Sequence, residues 1–267
     1  MKITNVTATV LRLPQISSAA DGTQDDLIIT VETDEGITGY GEVDTAPYVG
    51  KAVVDAYMSH GTCYGLREVV VGSDPFDYEQ IWNDMWAKTY YYGRSGPVMH
   101  VMSGIDMAIW DIMGKAVGKP VHKLLGGSYA DKVRAYASAL MPDTPDEVKK
   151  MTEKYVSLGY TAIKFGWGPL GYDVHYDIEL IKTARKAAGD KVDVMIDIGK
   201  RYRLKAAIYV AKALEQLNIY WLEEPLPAED YIGYKRLTES TTMRIATGEE
   251  ESGRLAFARL INETHID

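Results

Sequence analysis

The sequence predicts an α+β domain over residues 1–127, antiparallel strands first and helices after. Over residues 128–267 it predicts parallel βα units of the kind that close into a TIM-like (β/α)8-type barrel. Three observations predict this. The N-terminal stretch alternates apolar and polar residues, the middle carries helical periodicity, and the C-terminal half repeats strand, helix, strand. The repeat is clearest from Val192 to Glu251, where three short apolar runs each end in an acid. Val192–Ile196 leads to Asp197, Ile219–Leu222 to Glu223 and Met243–Gly248 to Glu249, each acid 26 residues after the one before. Helix-like segments Leu204–Leu217 and Glu229–Leu237 lie between the runs. That is the period of a parallel βα unit.

Taken in order, Ile3–Leu13 reads as a strand. Leu27–Thr33 and Ile37–Val43 form a hairpin around Asp34-Glu35-Gly36, with Gly36 supplying the positive φ. Pro14–Gln24 is a loop. A helix starts at Pro75-Phe76-Asp77 and carries Ile81, Met85 and Trp86. A second spans Val98–Val117, with Met102, Ile105, Ile109 and Ile112 on one face and Gly118-Lys119-Pro120 as its stop. Its methionines read as core, and its Asp106 and Asp111 as acids facing the fold or solvent. After Leu124-Leu125-Gly126-Gly127 come strand Val133–Ala137, a helix capped at Thr144-Pro145, strand Thr161–Phe165 and helix Asp177–Ala188. The three acid-tipped strands follow, then helix Arg254–Ile261, and His265–Asp267 reads as the start of a sixth strand. A closed barrel takes eight strands and about 200 residues or more. About five units plus a start fit here. The expectation is therefore a fragment truncated after about five βα units, a barrel completed by another polypeptide, or an open five-stranded sheet.

The composition narrows the function. With 267 residues, 46% of them hydrophobic, the chain can bury a sizeable core. A net charge of −9 argues against nucleic acid or an anionic membrane as partner. A lone cysteine, Cys63, rules out an internal disulfide and fits a reducing, cytoplasmic setting. No apolar run reaches the roughly 18 residues of a membrane span.

If the sheet closes into a barrel, residues at successive strand ends meet at one mouth. Asp197, Glu223 and Glu249 would converge there. Like charges disfavour ionisation, so three clustered carboxylates call for a cation. An all-oxygen donor set on a rigid rim suits Mg²⁺, which leaves positions for substrate and water.

Several motifs then resemble one family. Gly104-Ile105-Asp106-Met107-Ala108-Ile109-Trp110-Asp111, Gly114-Lys115, Gly118-Lys119-Pro120-Val121 and Leu124-Leu125-Gly126-Gly127 look like the capping-domain helix and exit of the enolase superfamily, in its mandelate racemase/muconate lactonizing enzyme branch. Trp221-Leu222-Glu223-Glu224-Pro225-Leu226 and Thr247-Gly248-Glu249 look like that family's metal-bearing strand ends. The resemblance implies an α+β capping domain with a (β/α)8-type barrel, and one Mg²⁺ on Asp197, Glu223 and Glu249. It also implies removal of the proton α to a substrate carboxylate, with the metal holding the resulting enediolate. A small sugar acid substrate and a homo-oligomer are expected. Glu224 is expected to support the metal ligands from behind. The loops Pro14–Gln24 and Asp44–Val49, with Tyr48, are expected to contact substrate.

The departures shape the reading. Where the family's second strand commonly carries Lys-x-Lys, this chain has Lys164-Phe165-Gly166: Lys164 remains as the candidate catalytic residue and the second lysine is gone. Where the third strand commonly reads Asp-x-Asn, Gly199 replaces the amide. Lys200 or Arg201 is then a candidate substrate contact, with a solvated basic turn as the favoured alternative for each. None of His60, His100, His122, His175 or His265 matches the family's histidine base, so these 267 residues alone are expected to give no turnover. The sequence favours a Mg²⁺-dependent lyase that dehydrates a sugar acid to a 2-keto-3-deoxy acid. The alternatives are a racemase or epimerase of a 2-hydroxy acid, a Schiff-base aldolase using Lys164, and an inactive truncated relative.

Overall fold

Period-two burial shapes the first sheet. β1 (Ile3–Arg12) buries Ile3, Val6 and Ala8, and β2 (Asp25–Thr33) buries Leu27, Ile29 and Val31. β3 (Thr38–Val43) contributes Gly39, Gly41 and Val43 to the same side. The strands pair antiparallel in the order β1-β2-β3, with Val6 opposite Val31 and Ile29 opposite Gly41. Gly36, at φ 77°, makes the β2–β3 turn. The structure, a computed structural model, describes residues 1–16 and 24–267, so most of the expected loop Pro14–Gln24 lies outside the described residues.

The chain divides into two compact units, Met1–Asp131 and Lys132–Asp267. In the first, α1 (Pro47–Asp55), α2 (Leu66–Val70), a 3-10 turn at Pro75–Asp77, α3 (Tyr78–Thr89), α4 (Pro97–Val117) and α5 (Val121–Leu124) follow the sheet. The long α4 lies against β3 at backbone distance. A Cβ at Gly41 would stand 1.9 Å from the Gly104 carbonyl, and one at Gly104 would stand 2.3 Å from Val43. Glycine at both places is therefore a packing requirement. Asp111 faces the fold, accepting from the Tyr40 N–H at 3.0 Å and pairing with Lys115 at 2.7 Å.

The second unit is β4 (Ala137–Leu140), α6 (Pro145–Ser157), β5 (Ala162–Gly166), α7 (Val174–Ala188), β6 (Asp193–Asp197), α8 (Leu204–Glu215), β7 (Leu222–Glu223), α9 (Tyr231–Thr238), β8 (Ile245–Ala246) and α10 (Arg254–Thr264). The five strands are parallel and adjacent in chain order, as in a barrel-type domain. Ile163, Phe165, Val194, Ile196, Leu222 and Ile245 are fully buried, beneath Leu180, Ile181, Val210, Leu214 and Leu237 from the helices. A capping box, Thr144 with Glu147, starts α6 where Thr144-Pro145 predicted a cap.

Three strand expectations need correction. The first strand of this unit is Ala137–Leu140, not Val133–Ala137. The ladder with β5 opens at Ala137 opposite Ile163, so Val133–Tyr136 precedes the paired residues, and Val133 is exposed. β7 and β8 shrink to two residues each, although ladder bonds continue on β7 from the Tyr220 N–H to Val194 at 2.7 Å and from the Glu224 N–H to Ala246 at 2.9 Å. His265–Asp267 is not a strand. The Asp267 N–H does donate to the Ile245 carbonyl at 3.2 Å, beside the edge of β8.

Candidate metal centre

Strand register brings the acids together. Asp197, the last residue of β6, pairs with Glu223, the last residue of β7. Neighbouring strands lie about 4.8 Å apart. Glu249 follows β8 by three residues and is turned back by Gly248 at φ 118°. One carboxylate oxygen from each of Asp197, Glu223 and Glu249 lies within 4.8 Å of the other two.

Burial grades from inside to rim. Asp197 is 4% exposed, Glu223 half-buried and Glu249 exposed. Burial pushes the Asp197 carboxyl up to about 6, and the neighbouring charge of Glu223 adds to it. The Gly199 N–H donates to Asp197 Oδ1 at 2.9 Å and opposes that rise. Among the described residues no thiol or imidazole joins the cluster. An all-carboxylate set, one member of which burial keeps from ionising readily, is the donor chemistry of a hard divalent cation.

Two lysines supply the positive charge nearby. Lys164, on β5, places Nζ 2.5 Å from Glu223 and 3.8 Å from Asp197. Burial pulls its pKa down, but the hydrogen bond and charge of Glu223, with Asp197 behind, outweigh that and leave it raised. Lys200 Nζ is 3.0 Å from Glu249 and 2.6 Å from Glu250, and these bonds raise its pKa against burial. Glu250 is thereby drawn into the rim.

Glu224 stands behind the ligand strands, 1% exposed, with a left-handed backbone at φ 43°. Its Oε1 accepts the N–H groups of Gly248 (2.7 Å) and Glu249 (3.2 Å). Its Oε2 accepts the Thr247 hydroxyl (2.9 Å) and lies 3.2 Å from the Tyr234 hydroxyl. The turn that carries Glu249 is thus held by Glu224. Burial raises the Glu224 carboxyl while these bonds pull it back.

Tyr48 is 64% exposed in the first turn of α1, a helix that Pro47 starts within the expected loop. Arg201 is not in a solvated turn: its guanidinium donates to the Gly168 (2.8 Å) and Leu170 (2.7 Å) carbonyls. Sequence reading missed Trp221, whose Nε1 donates to Glu223 Oε2 at 2.8 Å. Strand alternation carries the signal, since residues two apart share a face. It also missed Tyr234, which comes from α9 and has no local signature.

Against known proteins, residues 2–126 match the mandelate racemase/muconate lactonizing enzyme N-terminal domain, and residues 146–267 match the enolase C-terminal domain-like family. The chain is 34% identical over 244 residues to a D-galactonate dehydratase of Pectobacterium atrosepticum, covering 88% of this chain and 61% of that protein. It superposes on the 3,6-anhydro-D-galactonate cycloisomerase of Zobellia galactanivorans with a TM-score of 0.85 at 32% identity, covering 98% of this chain and 70% of that one. It superposes on a magnesium-bound racemase of Streptomyces coelicolor A3(2) with a TM-score of 0.86 at 28% identity, covering 99% and 74%. The chain spans 57 to 68% of the length of the curated relatives it matches. Among the described residues no helix is long and apolar enough to cross a membrane. Motifs, parallel βα order and these matches agree: the chain belongs to the mandelate racemase/muconate lactonizing enzyme family of the enolase superfamily.

Proposed function

We propose that this chain works in Mg²⁺-dependent removal of the proton α to a carboxylate, most specifically in dehydration of a sugar acid to a 2-keto-3-deoxy acid. The observation that carries the reading is the convergence of Asp197, Glu223 and Glu249 within 4.8 Å on consecutive strand ends. Those three carboxylates would hold the ion, which when bound supplies fixed positive charge beside the substrate carboxylate. Glu224 keeps Glu249 aimed at the cluster through the two backbone N–H groups it accepts.

Lys164 acts as a cation rather than as the base. Its raised pKa keeps it protonated at neutral pH, and an ammonium beside the ligands favours negative charge developing on the substrate. Lys200, at the rim, contacts the substrate's carboxylate or hydroxyls once it is drawn from Glu249 and Glu250. Dehydration needs a proton taken from Cα and another delivered to the departing β-hydroxyl. Water leaves, and the enol tautomerises to the keto acid.

A racemase or epimerase is the second reading, favoured by the racemase among the structural relatives. It needs a base on each face of Cα. Gly166 stands where the second lysine would, and a Cβ there would meet the Asp197 Cβ at 2.8 Å. That crowding favours dehydration. The test is the protein at its natural length, with Mg²⁺ and a panel of mono- and diacid sugars. The expected outcome is a 2-keto-3-deoxy product, trapped as its semicarbazone. Exchange of the α-hydrogen in D₂O without net dehydration would favour the racemase reading, and neither outcome on any acid would support an inactive relative.

A further inference from the structure

Trp167, the residue after β5, has a left-handed backbone at φ 56°. For a bulky side chain this is an outlier, and such outliers concentrate at functional sites. Its N–H donates to the Asp197 carbonyl at 3.2 Å, and its own carbonyl accepts from Leu170 at 3.1 Å. The indole lies against Gly199: a Cβ on that glycine would stand 3.1 Å from the ring carbons Cδ2 and Cε2. Gly199 is the residue whose N–H orients Asp197 Oδ1. The next two residues reach the same ring, Lys200 Nζ at 5.4 Å and the Arg201 guanidinium at 5.4 Å from its centroid. Arg201 is in turn fixed to the Gly168 and Leu170 carbonyls and stacked 4.8 Å from Tyr172. The indole is therefore bound on several sides to the turn that follows Asp197, and that turn carries the ammonium paired with Glu249.

We propose that Trp167 is a positioning residue of the metal centre: its indole clamps the Gly199–Lys200 turn, aiming the Asp197 carboxylate and holding the Lys200 ammonium against Glu249. The missing amide at position 199 and the tryptophan at 167 then form one device: a Cβ at 199 would crowd the ring, and the φ of 62° there also favours glycine. A side chain serving only to fill space has no need of a left-handed backbone beside two glycines. The inference rests on the metal reading of the three acids.

The test is Mn²⁺ binding to the whole chain at pH 7.5, read by the EPR signal of the free ion, with circular dichroism melts alongside. Partners behind metal ligands typically contribute 10–100-fold to affinity. Trp167→Ala is expected to weaken Mn²⁺ binding by about tenfold or more. Trp167→Phe, which keeps a ring over Gly199, is expected to stay within about threefold, a small part of that same range. Gly199→Ala crowds the indole and also strains a backbone at φ 62°, so it is expected to weaken binding at least as much as Trp167→Ala, and wild-type affinity in it decides against the clamp if Trp167→Ala does not fold. A merely structural role lowers the melting temperature and leaves the affinity of the folded protein unchanged. Folded Trp167→Ala and Gly199→Ala with wild-type affinity, or Trp167→Phe as weak as Trp167→Ala, would overturn the inference while leaving the metal reading intact. A wild-type chain that binds no Mn²⁺ would sink both.

Discussion

At the end of β6, with 4% of its surface exposed, Asp197 titrates at about 6, lifted first by burial and then by the charge of Glu223. An acid whose folded pKa lies above its ordinary 3.8 binds more protons folded than unfolded. The stability it contributes is complete below about pH 3.8 and is lost as the pH rises through about 6. At roughly 1.4 kcal/mol per pH unit, the ionised carboxylate costs the metal-free protein up to about 3 kcal/mol at neutral pH. Asp197→Asn is therefore expected to raise metal-free stability in urea unfolding at pH 7.5, with the gap closing by pH 4. Equal gaps at both values would contradict the electrostatic account. Because a ligand carboxylate must be deprotonated, Mn²⁺ affinity of the wild type is expected to fall as the pH drops below about 6. Isothermal titration at pH 7.5 and 5.0 checks this, and identical constants would count against it. At this scale the sequence was legible where chemistry follows from local pattern. Asp197, Glu223 and Glu249 each close an apolar run, so their convergence could be anticipated. Trp167 over Gly199 could not, because the contact joins two loops and depends on a backbone conformation that residue identity does not announce.

Two turns and one helix–strand contact decide how the elements carry the site. The Thr247–Glu249 turn is tied to α9 through Tyr234, whose hydroxyl donates to the Leu226 carbonyl at 2.8 Å and lies 3.0 Å from the Thr247 hydroxyl. Tyr234→Phe strips the donor from the buried Leu226 carbonyl, a loss of about 1–3 kcal/mol. It is expected to loosen Glu249 enough to weaken Mn²⁺ binding about tenfold, the lower end for such supporting partners. Calorimetric titration beside a urea melt reads both, and a stability loss with unchanged affinity would confine Tyr234 to the fold. In the first unit, Gly41→Ala drives a Cβ into the Gly104 carbonyl at 1.9 Å, so α4 must move off β3. A loss of about 3 kcal/mol or more is expected in thermal unfolding, the upper end for overpacking, and a neutral variant would mean that the helix sits looser than described. Elements were readable where one periodicity dominates, as in α4 and the acid-tipped strands. They were misread where two solutions alternate equally well: Val133–Ala137 and Ala137–Leu140 both look like strands, and only the pairing with β5 decides between them. Arg201 was misread as solvated because its partners are backbone carbonyls of a loop distant in sequence.

For the molecule as a whole, metal binding and folding share one free-energy balance. A ligand that binds only the folded chain stabilises it by about 2.7 kcal/mol at a hundred times its dissociation constant. For a chain of this size each kcal/mol moves the melting temperature by roughly 2–4 °C. Saturating Mg²⁺ or Mn²⁺ is therefore expected to raise the melting temperature by about 5–10 °C, and EDTA to return it. The net charge of −9 offers a competing cause, since any divalent ion screens a chain that repels itself. Asp197→Asn separates the two. It changes the overall charge by a single unit, so general screening survives in the variant. It also removes the most buried ligand, so specific stabilisation does not. Differential scanning fluorimetry of wild type and variant, each with and without Mn²⁺ at constant ionic strength, makes the comparison. A large shift in the wild type and little in Asp197→Asn places the stabilisation in the three-acid cluster. Equal shifts in both would leave only a polyanion responding to salt, and the strand-end acids would lose their claim to a metal.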